Sequence, residues 1–186
     1  MSLYEQVSLY STPFQEEKVS QATILDFLRQ DGPHCCRSNT TGHITASAFL
    51  LNRYGSHFLV MHHRKLNQWF QPGGHLEPNE SPLEGAIREA MEESGISEIS
   101  PVVTDIYDLD VHYIPENSHE SAHFHYDIRF LLQTFRDDFQ SNDESNELRW
   151  INCHDDTYTG IHLAPSITRM ITKFKNSSFS RPLTQL

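Results

Sequence analysis

Apolar positions recur at helical spacing in three stretches of the chain. Val19, Ala22, Ile24, Leu25 and Leu28 predict a helix from about Gln15 to Arg29, stopped by the breaker Asp31-Gly32-Pro33. Leu83, Ala86, Ile87, Ala90 and Met91 form one apolar face of a second helix. Ile167, Met170, Ile171 and Phe174 predict a third within Ile161 to Phe174, starting near Pro165. Elsewhere the pattern is that of strands: Ile44 to Asn52, a segment from His57 through Met61, Val102 to Ile114, His123 to Phe135 and Glu147 to Ile151. Arg53 to Ser56 fits a hairpin connection, and Ser141 to Asn146 is a polar loop. Strands wrapped around few helices predict an α/β or α+β domain over residues 43–176. A helical extension and linker, 1–42, precede it, and a tail, 177–186, follows.

The middle helix carries the chemistry. Ser81 is a good N-cap, Pro82 fits the first helical position, Glu84 completes a capping box, and Gly95 is placed to end the helix. At 100° per residue Glu89, Glu92 and Glu93 fall in one arc beside the apolar face, three and four residues apart. Like charges so spaced destabilise a helix by a few tenths of a kcal/mol per pair, so a compensating cation is expected. Oxygen-only ligands favour Mg²⁺, Mn²⁺ or Ca²⁺ over zinc. A solvated acidic face is the competing reading of these three acids alone. Just ahead, Gln71-Pro72-Gly73-Gly74 offers backbone that can approach a ligand closely.

Gly74, Glu80, Arg88-Glu89, Glu92-Glu93, Gly95 and Ile96 stand at the spacing of the Nudix box, and the segment Gly74 to Ile96 resembles that signature of the Nudix hydrolases. Ala90 is the one softening, since a larger aliphatic is usual there. The resemblance implies an α/β/α sandwich with a mixed β-sheet, the box forming a loop–helix–loop. It implies hydrolysis of a nucleoside diphosphate linked to another group, with Mg²⁺ or Mn²⁺. Glu89, Glu92 and Glu93 would be catalytic metal ligands, with the Gly74 carbonyl a further one, and Glu80 and Arg88 would brace the loop against the helix. The partner would be a small-molecule diphosphate, a nucleotide derivative. Its leaving group and the general base are left open. A Nudix-fold ligand-sensing module and a Nudix-fold isoprenoid diphosphate isomerase are the alternatives. Three adjacent carboxylates argue against the first, and Cys35, Cys36 and Cys153 show no evident match to the catalytic Cys of the second.

Outside the box, His123 to Phe130 alternates: Phe124, Tyr126, Ile128 and Phe130 would face the core, and His123, His125, Asp127 and Arg129 the other side. That polar side could line the substrate cleft, with His125 and Asp127 the favoured contacts, or two His plus Asp could bind a transition metal. Arg64 and Lys65 are cations near the expected phosphate site, and Arg64 is a candidate substrate contact. Trp69 could stack on a base or pack, His75 could reach phosphate, and Glu147 is an alternative base.

Composition bounds the partners. The 186 residues carry 25 acidic against 14 basic side chains, a formal charge of −11. This argues against a nucleic-acid polymer or an anionic membrane as partner. No apolar stretch approaches the roughly 20 residues of a membrane span. Met1 to Glu17 lacks the pattern of a signal peptide, and three cysteines do not make a disulfide framework, so reduced thiols and a cytoplasmic location are expected. The acidity also argues at first against a phosphate substrate. Six of the acids, against one base, lie within Gly74 to Ile96, so they mark where a cation would bind before a phosphate could. The N-terminal helix leaves a homodimer or lid role open.

Overall fold

The structure is a computed structural model that describes residues 1–63, 68–116, 120–136, 138–139, 145–155, 157–158 and 160–180. Its helices are α1 (Leu3–Leu9), α2 (Gln15–Leu28), α3 (Pro82–Ser94) and α4 (Pro165–Lys175). Its strands are β1 (Gly42–Leu51), β2 (His57–His63), β3 (Gln68–Phe70), β4 (Gly73–His75), β5 (Ile99–Pro101), β6 (Asp108–Ile114), β7 (His123–Thr134) and β8 (Ser145–Asn152). They pair in the order β3-β2-β1-β7-β5, with β4 on β1, β6 on β7 and β8 on β2. This is the α+β fold that the pattern predicts. No helix among the described residues is long and apolar enough to cross a membrane.

The chain divides into two compact units, and β1, α3 and β7 each run through both. The first unit comprises Met1–Ser47, Gly74–Ala86 and Thr104–Phe130. Its core gathers Val7, Ile24, Phe27, Ile44, Leu109 and Ile128, all essentially fully buried. Phe27 of α2 stacks on Tyr126 of β7, ring centroids 4.0 Å apart. Glu17, also on α2, is fully buried and accepts hydrogen bonds from the hydroxyls of Tyr10 and Thr12. A buried carboxylate is tolerable only when paired in this way. Burial, then the adjacent Glu17, pushes the Tyr10 hydroxyl far above its usual range, so it stays a donor.

The second unit comprises Ala48–Gly73, Ile87–Val103 and Leu131–Leu186. Phe49 lies 5.0 Å from Phe58 and 5.8 Å from Phe174, joining β1, β2 and α4. β2 pairs antiparallel with β8, His57 opposite Asn152 through Met61 opposite Leu148. Trp69 of β3 lies under the Arg149 guanidinium, 5.1 Å from ring centroid to the guanidinium carbon.

Three expectations need correction. The strand expected over Val102 to Ile114 is two strands. After Pro101, which has no N–H to give the ladder, Val102 still donates to Leu131, and pairing then resumes with Tyr107 donating to Arg129. α1 escaped prediction because its seven residues bury only Val7 and so show no apolar stripe. Phe124, expected in the core, is 41% exposed and packs at the surface against Tyr113.

Glycine is required at the start of β1. A Cβ on Gly42 would lie 2.4 Å from the Phe124 carbonyl oxygen and 2.8 Å from the Tyr126 ring. Backbone cannot yield as a flexible side-chain tip does. Gly42→Ala is expected to lower unfolding stability by about 1–3 kcal/mol, measured by urea denaturation.

Candidate active site

The box helix forms for the reasons its sequence suggests. The Ser81 hydroxyl and N–H donate to Glu84 at 2.6 and 2.9 Å, and the Glu84 N–H returns a bond to Ser81 Oγ. These bonds hold the Glu84 carboxyl below its ordinary value. At the other end Gly95 adopts φ +70° and donates to the Met91 carbonyl, closing the helix in a conformation glycine tolerates. Ala86 and Ala90 are fully buried, and their small side chains are what the apolar face presents there.

Glu89, Glu92 and Glu93 sit on the last two turns of α3, at the partly negative end of the helix dipole, where the last turn carries no basic residue. Like charge and the helix dipole therefore both call for positive charge here. Arg88 supplies part of it, with Nη1 2.9 Å from Glu89 and 3.1 Å from Glu92. Glu93 is only 7% exposed, and its Oε2 accepts the Gly73 N–H at 2.8 Å. That bond ties the backbone just before Gly74 to the last turn of the helix. Glu80 accepts the Glu77 N–H at 2.8 Å and shapes the loop ahead of α3. The donor set on α3 is oxygen-only, which fits a hard divalent cation of the Mg²⁺ or Mn²⁺ type.

In the first unit, the polar side of β7 is closed over. Asp127 is 1% exposed; its carboxylate accepts from Thr45 at 3.0 Å, from Ser47 at 2.8 Å and from Arg129 Nε at 2.7 Å. Arg129, 2% exposed, also pairs with Asp108 at 3.4 Å and Asp110 at 3.0 Å. Burial alone would depress the Arg129 guanidinium, but the three carboxylates outweigh it and hold it charged. Beside this network lie four histidines, His43, His75, His123 and His125, with potential ligand nitrogens all within 4.8 Å of one another. Burial first, then the neighbouring rings, holds His125 down to about 2. Burial first, then Arg37, holds His75 down to about 4, and burial depresses His43 too, so His43, His75 and His125 are neutral near pH 7.

A family model of the NUDIX domain matches residues 41–164, well over half of the chain. The chain belongs to the Nudix family. A relative named "Probable DHNTP pyrophosphohydrolase", from Lactococcus lactis subsp. cremoris (strain MG1363), is 34% identical over 92 residues, 48% of this chain and 53% of that protein. A bis(5'-nucleosyl)-tetraphosphatase (asymmetrical) of Rattus norvegicus is 35% identical over 49 residues, 26% of this chain and 33% of that protein. The matches thus span about half and a third of these relatives' lengths. A solved Nudix-family hydrolase from Clostridium perfringens superposes with a TM-score of 0.53 at 22% identity, covering 72% of this chain and 96% of that one. The fold is that of the Nudix hydrolases.

Against this family frame the sequence candidates separate. Glu89, Glu92 and Glu93 are gathered on α3 as expected from their spacing. Arg64 and Lys65 lie outside the described residues. Asp127 is not cleft-lining: hydroxyls from β1 and the Arg129 guanidinium cover it, so the exposed polar face expected of β7 is a buried one. His125 faces other histidines, and His43 is a member of that cluster that no sequence pattern singled out. The His123-x-His125 spacing, two residues apart on one strand face, was the available signal. Asp127→Ala is expected to destabilise the protein by about 1–3 kcal/mol in urea unfolding, because it removes the shortest of three ion pairs to a buried guanidinium and leaves the Thr45 and Ser47 hydroxyls without their acceptor. Unchanged stability with a raised KM would restore Asp127 as a substrate contact.

Proposed function

We propose that this Nudix chain is a divalent-metal-dependent pyrophosphohydrolase acting on a nucleoside diphosphate linked to another group. The observation that carries the reading is the trio Glu89, Glu92 and Glu93, crowded on the last two turns of α3 with Glu93 anchored by the Gly73 N–H. A polyanionic pyrophosphate would not approach this acidic surface unaided. Glu89, Glu92 and Glu93 would hold Mg²⁺ or Mn²⁺, with the Gly74 carbonyl as a further ligand. When bound, the ion supplies positive charge opposite the phosphate oxygens as charge shifts to the leaving phosphate.

The chain's own groups do the rest. Arg88, between Glu89 and Glu92, keeps two carboxylates from splaying apart and sets their orientation. The Gly73–Glu93 bond fixes the depth at which the third carboxylate sits. One of these carboxylates accepts the proton of the water that attacks phosphorus, as a P–O bond forms and the bridging P–O bond breaks. The names of the two relatives motivate the substrates to try first, DHNTP and a bis(5'-nucleosyl) tetraphosphate, within a wider panel that includes nucleoside triphosphates and sugar nucleotides.

The test is product analysis by mass across that panel with Mg²⁺ or Mn²⁺ and after chelation. Chelation is expected to abolish turnover. Glu89→Gln and Glu93→Gln are each expected to lower kcat about 10²-fold or more while the circular-dichroism spectrum stays unchanged. Near-normal turnover in both variants would overturn the assignment. Ligand-raised melting temperatures with no turnover of any compound would mark a sensing module instead.

A further inference from the structure

The reaction proposed above does not call on the four-histidine cluster. His43 enters it from the start of β1, His75 from the end of β4, and His123 and His125 from the start of β7. The His43 ring centroid lies 4.8 Å from His75 and 4.9 Å from both His123 and His125. We infer that these four imidazoles form a binding site for one divalent first-row transition ion, Zn²⁺ or a close analogue.

Three observations support the site. First, His43 is 2% exposed, and neither of its ring nitrogens makes a well-formed hydrogen bond, although the Asn39 backbone lies near enough to favour its protonated form. Buried polar atoms are seldom left so, and a ligand is one of the few explanations that such a group admits. Second, His123 Nδ1–H donates to the Ser121 carbonyl at 2.7 Å. That bond fixes the tautomer and leaves the Nε2 lone pair directed at the cluster, as the outer-shell partner of a metal-binding histidine does. Third, His123 Nε2 and His125 Nε2 meet at a hydrogen-bond distance of 3.1 Å, so an ion would displace the one ring proton between them and find both nitrogens already converged. Two nitrogens on a tetrahedral ion at bond lengths of about 2.0–2.1 Å stand roughly 3.3 Å apart.

The full set spans up to 4.8 Å, so binding would draw the outer imidazoles inward by an ångström or so. Neutral imidazoles are the ligating form, and they suit Zn²⁺, Co²⁺, Ni²⁺ or Cu²⁺ far better than Mg²⁺. Glu120, paired with Arg37 at 3.2 Å, is the carboxylate whose field reaches His43 and His75, and it offsets the Arg37 charge there. Four protein ligands close a tetrahedral site, so the ion would be structural, clamping three strands of the first unit.

The experiment uses the full chain stripped of metal and titrated with Co²⁺ as a spectroscopic stand-in for Zn²⁺. One Co²⁺ per chain is expected, with the intense visible bands of tetrahedral coordination, hyperfine-shifted imidazole N–H protons in the NMR spectrum, and displacement by Zn²⁺. Zn²⁺ alone is expected to raise the melting temperature. His125→Gln and His75→Gln should each weaken binding by at least about 100-fold, beyond the 10–100-fold typical of losing an outer-shell partner. Glu93→Gln should leave the bands unchanged, which separates this site from the box. Wild-type protein with no shifted imidazole signals, or with only weak six-coordinate bands that vanish in Glu93→Gln, would overturn the proposal without relying on any histidine variant folding.

Discussion

Repulsion among three carboxylates on the last two turns of α3 is the constraint that organises the candidate active site. Their like charge is compounded by the negative end of the helix dipole and by burial of Glu93. The helix can carry them because its other end is secured by the Ser81–Glu84 capping box and its apolar face is sealed by Ala86 and Ala90. Arg88 and the Gly73 N–H supply the positive partners that the protein itself provides. A cation held there, as proposed above, would relieve the repulsion among the three carboxylates further.

The first unit solves a similar problem by a different route. Asp108, Asp110 and Asp127 surround one buried guanidinium, and the hydroxyls of Thr45 and Ser47 take up further acceptor capacity on Asp127. Here the counter-charge is one guanidinium, 2% exposed, with all three carboxylates within 3.4 Å of it. On α3, Arg88 pairs with Glu89 and Glu92, and the Gly73 N–H bonds to Glu93. Both sets are rich in acid, and exposure separates them: the Glu92 side chain is 60% exposed, whereas those of Asp127 and Arg129 are 2% and 3% exposed.

Much of this was legible in the sequence, because the signals were local. Ser81, Pro82, Glu84 and Gly95 mark the ends of α3 within a few residues, and α2 and α4 follow their apolar spacing. The three glutamates share an arc by helical geometry alone. Other features depended on partners distant in sequence. Whether the polar face of β7 met solvent or protein was decided by Thr45, Ser47, Asp108 and Asp110, which strand pairing brings to it. The histidine cluster joins positions 43, 75, 123 and 125, and only the strand order makes them neighbours. β3 and β4, three residues each, are too short to display alternation.

The buried Glu17 bears on where the chain can be trimmed. The family pattern begins at residue 41, which invites removal of everything before it. Starting at residue 13 would keep Glu17 and discard the Tyr10 and Thr12 hydroxyls that solvate it, leaving an acid in the core without those donors. Starting at residue 41 would remove the acid as well, but would lift Phe27 from the Tyr126 ring and lay bare an aromatic face. The first 40 residues therefore behave as a plug whose two halves must be kept or lost together, and losing both exchanges a buried charge for a sticky surface.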